Sequence, residues 1–258
     1  KDENDEHKKA ERLWSEQEAQ AIVDRCQGKP GTIEQTTKPA RQAPPLLYDL
    51  TSLQREASNR FGFSARRTLQ IAQALYEKFK VLTYPRTDSR FLPEDYLGTV
   101  KDTLKTFASK RGKTDALPDD LSNHAASALD NGWVRPNKRI FDNSKVSDHF
   151  AIIPTGVLPP KELPEAEQKL FDMVLRRFVS LVFPAAEFEV AARITRVCED
   201  AFKSDGKVLR VPGWLAVYGK QAAEEAAAAE GKESAGGGGK LLTAANDGDT
   251  AKTLSDDA

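Results

Sequence analysis

The sequence predicts an α+β protein in which a helical block is inserted between two β-rich pieces. Three observations carry this. Between residues 44 and 183, apolar residues recur every three to four positions, the spacing of helices with one buried face. On either side the pattern changes to alternation, over residues 31–38 and again from Phe188, as in half-buried strands. Pro39, Pro44 and Pro45 punctuate the first change and Pro184 the second; prolines break both helices and ladders. The expected division is residues 1–43 and 184–258 as two parts of a β-rich domain, with the helical domain at 44–183 between them.

Taken in order, residues 1–12 are densely charged and read as an exposed end. Ser15 and Glu18 form a capping-box pattern, followed by Ala19, Ile22, Val23 and Cys26 at helical spacing and closed by Gly28. Residues 31–38 are rich in β-branched types and predict a strand. Thr51 and Gln54 form a second capping box for a helix that runs to Gly62, with Leu53 and Ala57 on one face. Ser64 caps the next helix, which turns Leu69, Ala72, Tyr76 and Phe79 inward. The two helices, joined by Phe61-Gly62-Phe63, make a helix-turn-helix-like pattern. Arg66 and Arg67 fall in the first turn of the second helix. Cations there oppose the helix dipole, so they suit either a phosphate partner or a solvated face.

Pro93 starts a further helix, with Leu97, Val100, Leu104 and Phe107 as its stripe. Residues 108–120 read as a polar loop. Ser122 to Asp130 predicts a short helix ended by Gly132, with His124 on its surface and without partners. Residues 133–146 are irregular and basic. Ile152-Ile153-Pro154 reads as buried. Pro164 then opens the most amphipathic helix, with Leu170, Phe171, Val174, Leu175, Phe178, Leu181 and Val182 on one face. From Phe188 the alternation puts Phe188, Val190, Ala192 and Ile194 together. A second strand region is expected over Val208–Tyr218. Residues 222–229 suit an Ala/Glu helix or a disordered segment, Gly236 to Gly239 a flexible linker, and residues 240–258 one strand at most.

Composition bounds the function. Hydrophobic residues at 39% and charged residues at 30% suit a soluble globular chain, with no run of membrane-spanning length and no opening signal peptide. A cytoplasmic protein is expected, without membrane partners. Lys1 opens a charged run without an initiator Met, which suggests a piece of a longer chain. Cys26 and Cys198 lack metal-ligand spacing, so zinc is not expected and buried, reduced thiols are. The net charge of −1 hides a gradient. Residues 29–90 hold eleven Lys and Arg against Glu34, Asp49, Glu56, Glu77 and Asp88, a local charge of +6. Such a local field steers polyanions.

One stretch in that basic region carries chemistry. Tyr84, Arg86 and Asp88 sit at alternate positions around Pro85, and Pro85 biases Tyr84 to an extended conformation. Alternation then points the three side chains to one side. A phenol with a pKa of about 10 is a weak nucleophile that needs a cation, base or metal beside it. A guanidinium two residues on can hold a phosphate oxygen. The same residues also suit a buried strand tyrosine with a surface ion pair.

The stretch Thr83-Tyr84-Pro85-Arg86-Thr87-Asp88-Ser89-Arg90 resembles the active-site tyrosine motif of bacterial type IA DNA topoisomerases, most like the topoisomerase III branch. Ser147-Asp148-His149, running on to Thr155, resembles that family's histidine-bearing motif. Residues 53–58 and 63–76 resemble the helices preceding the tyrosine. The four matches keep their order over residues 53–155. The resemblance implies a tyrosine-bearing helical domain inserted into an arched β-rich hinge domain on which it swings. It implies that Tyr84 attacks single-stranded DNA to form a 5′-phosphotyrosine link and a free 3′ hydroxyl, and that reversal after strand passage needs no ATP. By resemblance, Arg86 holds the scissile phosphate, His149 contacts the phosphate or orients Asp88, and Asp88 relays a proton or makes a local ion pair. Arg66, Arg67 and Arg90 are the expected DNA contacts.

The family's amino-terminal domain holds Mg2+ on an acidic cluster, and the sequence has no equivalent of it. No metal site or cofactor is therefore expected on this chain, which is expected to be a monomer, to need that domain as a partner and to be inactive alone. Two other readings of the residues stay open. One is a non-catalytic helix-turn-helix DNA-binding module, and the other is a domain that binds a protein partner.

Overall fold

A computed structural model describes residues 13, 15–109, 117–160, 162–219 and 250–251, which fall into two units. The expectations for residues 1–12, 222–229, 236–239 and most of 240–258 lie outside them. One unit takes the described residues up to Gln42, then 187–211 and 250–251; the other takes 43–186 and 212–219.

The first unit begins with α1 (Glu16–Cys26), where the Ser15 hydroxyl accepts from Glu18 N at 3.4 Å. The first strand, β1 (Gly31–Gln42), runs four residues further than expected, through Pro39. A proline is tolerated in a strand where its nitrogen needs no ladder partner. Two long strands, β2 (Ala186–Val197) and β3 (Asp200–Val211), form an antiparallel hairpin with a bulge between Glu187 and Phe188. A two-residue strand, β4 (Thr250–Ala251), pairs antiparallel with the start of β1, and the sheet order is β3-β2-β1-β4. Phe188 is buried, with Lys207 Nζ 4.0 Å from its ring centroid. The expected alternation fades after it: Ala191, placed on the opposite face, is buried, whereas Val190, Ala192 and Ile194 are half-buried.

The second unit is helical: α2 (Leu50–Phe61), α3 (Ala65–Glu77), α4 (Leu97–Ala108), α5 (Asp119–Asp130) and α6 (Glu165–Leu181). Leu53, Ala57, Leu75, Leu104, Phe107, Leu121, Phe171 and Phe178 are all but fully buried in its core. The cap of α2 is Asp49 rather than Thr51. Asp49 Oδ1 accepts from Ser52 N at 2.6 Å, and Ser52 Oγ accepts from Asp49 N at 3.2 Å. Gln54 instead donates to Ala65 O at 3.1 Å, tying α2 to the start of α3. In α3 the buried residues are Thr68, Ile71, Ala72 and Leu75. The stripe is turned by about one residue, which leaves Leu69 and Tyr76 only half-buried.

Two further expectations change in this unit. His124 is half-buried with its ring edge-on to Phe183 at 5.7 Å, and burial lowers its pKa. Residues 213–218, expected to end a strand, form a 3-10 helix, Gly213–Tyr218, that buries Trp214, Leu215 and Val217 among the helices. An apolar run of this length is ambiguous between strand and helix by pattern alone. Gly213 makes the docking possible: its φ is +50°, and a Cβ there would stand 2.4 Å from Ala185 O. Residues 184–185 and 212–219 therefore group with the helices, and the division falls at the start of β2.

Candidate functional site

Three extended segments inside the helical unit build the site. Residues 46–50, 81–92 and 149–155 are joined by isolated bridges at Tyr48↔Ile152 and Leu82↔Pro154. Thr83 is the anchor before Tyr84. Its N–H donates to Ile153 O at 2.9 Å, and its hydroxyl donates to Ala151 O at 3.1 Å while accepting from Ile153 N at 2.9 Å. Lys80 enters the segment with φ of +59°, a left-handed conformation that costs a residue other than glycine about 1–3 kcal/mol. Thr155 Oγ1 donates to Lys80 O at 2.7 Å and holds that turn.

Beyond Tyr84 the chain alternates. Pro85, Thr87 and Ser89 are buried, whereas Arg86 and Asp88 are exposed. The buried hydroxyls are satisfied: Thr87 Oγ1 donates to His149 O at 3.1 Å and Ser89 Oγ to Lys145 O at 2.8 Å. Leu50 N donates to Thr87 O at 3.0 Å, which joins the first segment to the second. These bonds press the inward positions against the unit and leave the outward positions to solvent.

The half-buried Tyr84 ring lies between two others. The His149 ring centroid is 4.4 Å away at 46°, and that of Tyr76 is 5.5 Å away at 77°. Such separations suit tilted and edge-on aromatic pairs. Lys80 Nζ stands 5.7 Å from the Tyr76 centroid. His149 is exposed. Arg86 makes no hydrogen bond or ion pair among the described residues, so its guanidinium is available to an anion. Asp88 Oδ1 accepts from Ser147 Oγ at 3.3 Å, so among the described residues its hydrogen-bond partner is Ser147 rather than His149.

The other candidates are more dispersed. Arg90 is half-buried and donates Nε to Leu47 O at 3.0 Å, a bond that ties it to the scaffold. Arg66 and Arg67 are exposed in the first turn of α3, whose cap is the Ser64 hydroxyl. Arg67 lies over the Phe63 ring at 4.6 Å. The Lys169 hydrogen bond and charge lower the Glu165 pKa, and Arg67 adds to that.

Beneath the site lies a buried cation that the sequence reading missed. Arg177 on α6 is 8% exposed. It donates Nη1 to Leu46 O at 3.0 Å, Nε to the Tyr218 hydroxyl at 3.3 Å and Nη2 to Glu56. Its guanidinium sits 4.2 Å from the Tyr48 ring centroid. Glu56 also faces Arg60 at 2.8 Å. Leu46, Leu47 and Tyr48 therefore receive Arg177 on one side and carry Arg90 and Ile152 on the other. Thr83, Thr87 and Ser89 were also overlooked; hydroxyl residues spaced through an extended stretch signal an inward-bonded loop.

Three comparisons bear on this arrangement. A family model described as DNA topoisomerase matches residues 1–252. The DNA topoisomerase 3 of Bacillus licheniformis is 42% identical over 199 residues, which are 76% of this chain and 26% of that protein. The Bacillus subtilis DNA topoisomerase 3 is 37% identical over 216 residues, 83% of this chain and 28% of that protein. Full-length topoisomerase I from Thermotoga maritima superposes with a TM-score of 0.60 at 18% identity, over 96% of this chain and 36% of that one, a likeness of fold. The chain spans about a quarter of the length of the curated relatives it matches.

Proposed function

This chain belongs to the bacterial type IA DNA topoisomerase family, and from that premise we propose that it supplies the nucleophile of a strand-passage reaction on single-stranded DNA. Tyr84 Oη gives up its proton to solvent and attacks a backbone phosphorus. The bond from phosphorus to the 3′ oxygen breaks, and that oxygen takes up a proton and leaves as a hydroxyl. The 5′ phosphate stays on the phenol. After another strand has passed, the 3′ hydroxyl attacks the same phosphorus and releases Tyr84. The phosphodiester energy is kept in the covalent link, so relaxation or decatenation proceeds without ATP.

The observation that supports this reading most is the setting of Tyr84. Its ring is held between His149 and Tyr76, and Arg86 stands two residues on with no partner among the described residues. In this reading Arg86 grips the scissile phosphate and stabilises the charge of the transition state. His149, exposed against the phenol ring, contacts the same phosphate. Asp88, held by Ser147, keeps the loop in place. Arg66 and Arg67 on the α2–α3 helix-turn-helix-like pair contact the DNA backbone, and Arg90 adds positive charge from within the scaffold. Among the described residues no group of three or more His, Cys, Asp or Glu gathers to hold a metal.

The test mixes the chain with labelled single-stranded DNA, magnesium and a separately expressed amino-terminal metal-binding domain of a relative. Denaturing electrophoresis scores the covalent adduct, with Tyr84→Phe alongside. An adduct that requires Tyr84 is expected, and none from the chain alone. Docking and DNA binding without any adduct would instead favour a non-catalytic DNA-binding module.

A further inference from the structure

We propose that Cys26 and Cys198 form a reversible redox pair that staples the two separate stretches of the β-rich unit together. Cys26 is the last residue of α1, and Cys198 lies in the tight turn between β2 and β3. Their contacts are reciprocal. Cys26 Sγ reaches Val197 O at 3.7 Å, and Cys198 Sγ reaches Arg25 O at 3.5 Å. Each thiol thus lies on the carbonyl of the residue that precedes the other. That places the two side chains together from opposite segments, the approach a disulfide needs.

The surroundings hold this approach in place. Arg25 and Asp200, each near one thiol, form a forked ion pair with contacts of 3.2, 3.1 and 3.0 Å. Close by, Gly31 opens β1 hard against the end of β2. A Cβ there would stand 2.7 Å from Val197 Cγ2 and 2.8 Å from Arg196 O. Cys198 itself has φ of +53°, a conformation costly for a residue with a side chain.

The two thiols differ in a way that sets the order of reaction. Cys198 is exposed and Cys26 is buried. Burial, the Cys26 contact to Asp200 at 3.5 Å and the Asp200 charge all push the Cys26 thiol up. Cys198 is therefore the thiol that meets a small disulfide such as oxidised glutathione. Its thiolate attacks one sulfur of that disulfide, one molecule of reduced thiol leaves, and a mixed disulfide remains on Cys198. Cys26 then loses its proton and attacks the Cys198 sulfur; the protein disulfide forms and the second small thiol leaves. Two protein thiols are oxidised, and one small disulfide is reduced to two thiols. Because Cys26 must deprotonate, the second step quickens as pH rises. Intracellular disulfides are typically of this transient, sensing kind.

The bond joins a residue before the helical unit to one after it, so the intervening chain becomes a closed loop. Such cross-links stabilise by restricting the unfolded chain.

The test treats the chain with oxidised glutathione under native conditions and reads intact mass, joined peptides and melting. The expected product has lost two hydrogens and retains no glutathionyl group. Its Cys26 and Cys198 peptides are joined, it melts higher by roughly 5–10 °C, and it reverts with dithiothreitol. Cys26→Ser should stop at one glutathionyl group on Cys198 without the rise in melting. Cys198→Ser, at an exposed position, should leave Cys26 unmodified. A wild-type product that keeps a glutathionyl group on Cys198 while Cys26 stays reduced, or that pairs only between chains, would overturn the proposal. Neither result depends on DNA cleavage.

Discussion

Replacing Arg177 by methionine should unfold the support under Tyr84 at a cost of about 4 kcal/mol or a little more. Methionine keeps much of the apolar stem, so the loss falls on the charge. Removing one member of a buried ion pair costs about 3–5 kcal/mol, because the other charge stays buried without compensation. Here Glu56 keeps Arg60 at 2.8 Å and its side chain is 20% exposed, which moves the ionic part to the low end of that range. Losing the cation over the Tyr48 ring adds about 1 kcal/mol. Leu46 O and the Tyr218 hydroxyl also lose a charged donor. The assay is urea unfolding followed by tryptophan fluorescence, because Trp214 lies edge-on to Tyr218 at 5.7 Å. Asp102→Asn in the exposed Lys105–Asp102 pair is the control and should cost no more than about 0.5 kcal/mol. Exchanging both partners, Arg177→Met with Glu56→Leu, should recover much of the loss, since an apolar pair leaves no stranded charge. Amide exchange at Thr83 and Ile152 should quicken in the single variant. If Arg177→Met behaved like the Asp102 control, the argument that this cation underpins the site would fail.

Four further outcomes follow from the same geometry. Thr83→Val should cost about 1.5–3 kcal/mol by urea unfolding, because Ile153 N–H and Ala151 O lose their partner, and Thr83→Ser should restore most of it. Gly213→Ala should cost about 3 kcal/mol or more by the same measure, because its Cβ meets Ala185 O at 2.4 Å in a left-handed conformation. Burial holds the His124 pKa below its ordinary value. The unfolded chain then binds the proton more readily, so stability is full above about pH 6.5 and falls as pH drops toward the folded pKa; a pH series should show this fall in wild type and less of it in His124→Gln. Arg86→Ala should leave the urea midpoint in place, weaken single-stranded DNA binding and reduce its salt slope by about one.

Much of the helical unit could be read from local pattern. The α6 stripe of Leu170, Phe171, Val174, Leu175, Phe178 and Leu181 is buried as its spacing predicts, and so are Val100, Leu104 and Phe107 of α4. The three outward positions at 84, 86 and 88 also follow from alternation, because Pro85, Thr87 and Ser89 are the buried ones. These features depend on neighbours within one or two turns or one stretch of strand, where spacing alone decides which side chains share a face.

What the sequence by itself determined, then, is which segments have a buried face and where a phenol, a guanidinium and a carboxylate stand together. What only the tertiary structure decided is which distant faces meet. Tyr76 looked like core until α3 turned by a residue and set its ring against Tyr84. Residues 213–218 had the apolar content of a strand, but the room beside Ala185 and the Arg176 bond to Val217 O at 2.7 Å took them into the helices. Arg177 reaches Leu46 and Glu56, and Cys26 meets the Cys198 turn, across more than 100 residues of chain. Periodicity is blind to such pairs. They depend on how packed elements sum to bring two backbones within a few ångströms, and that is a property of the assembled unit rather than of any segment in it.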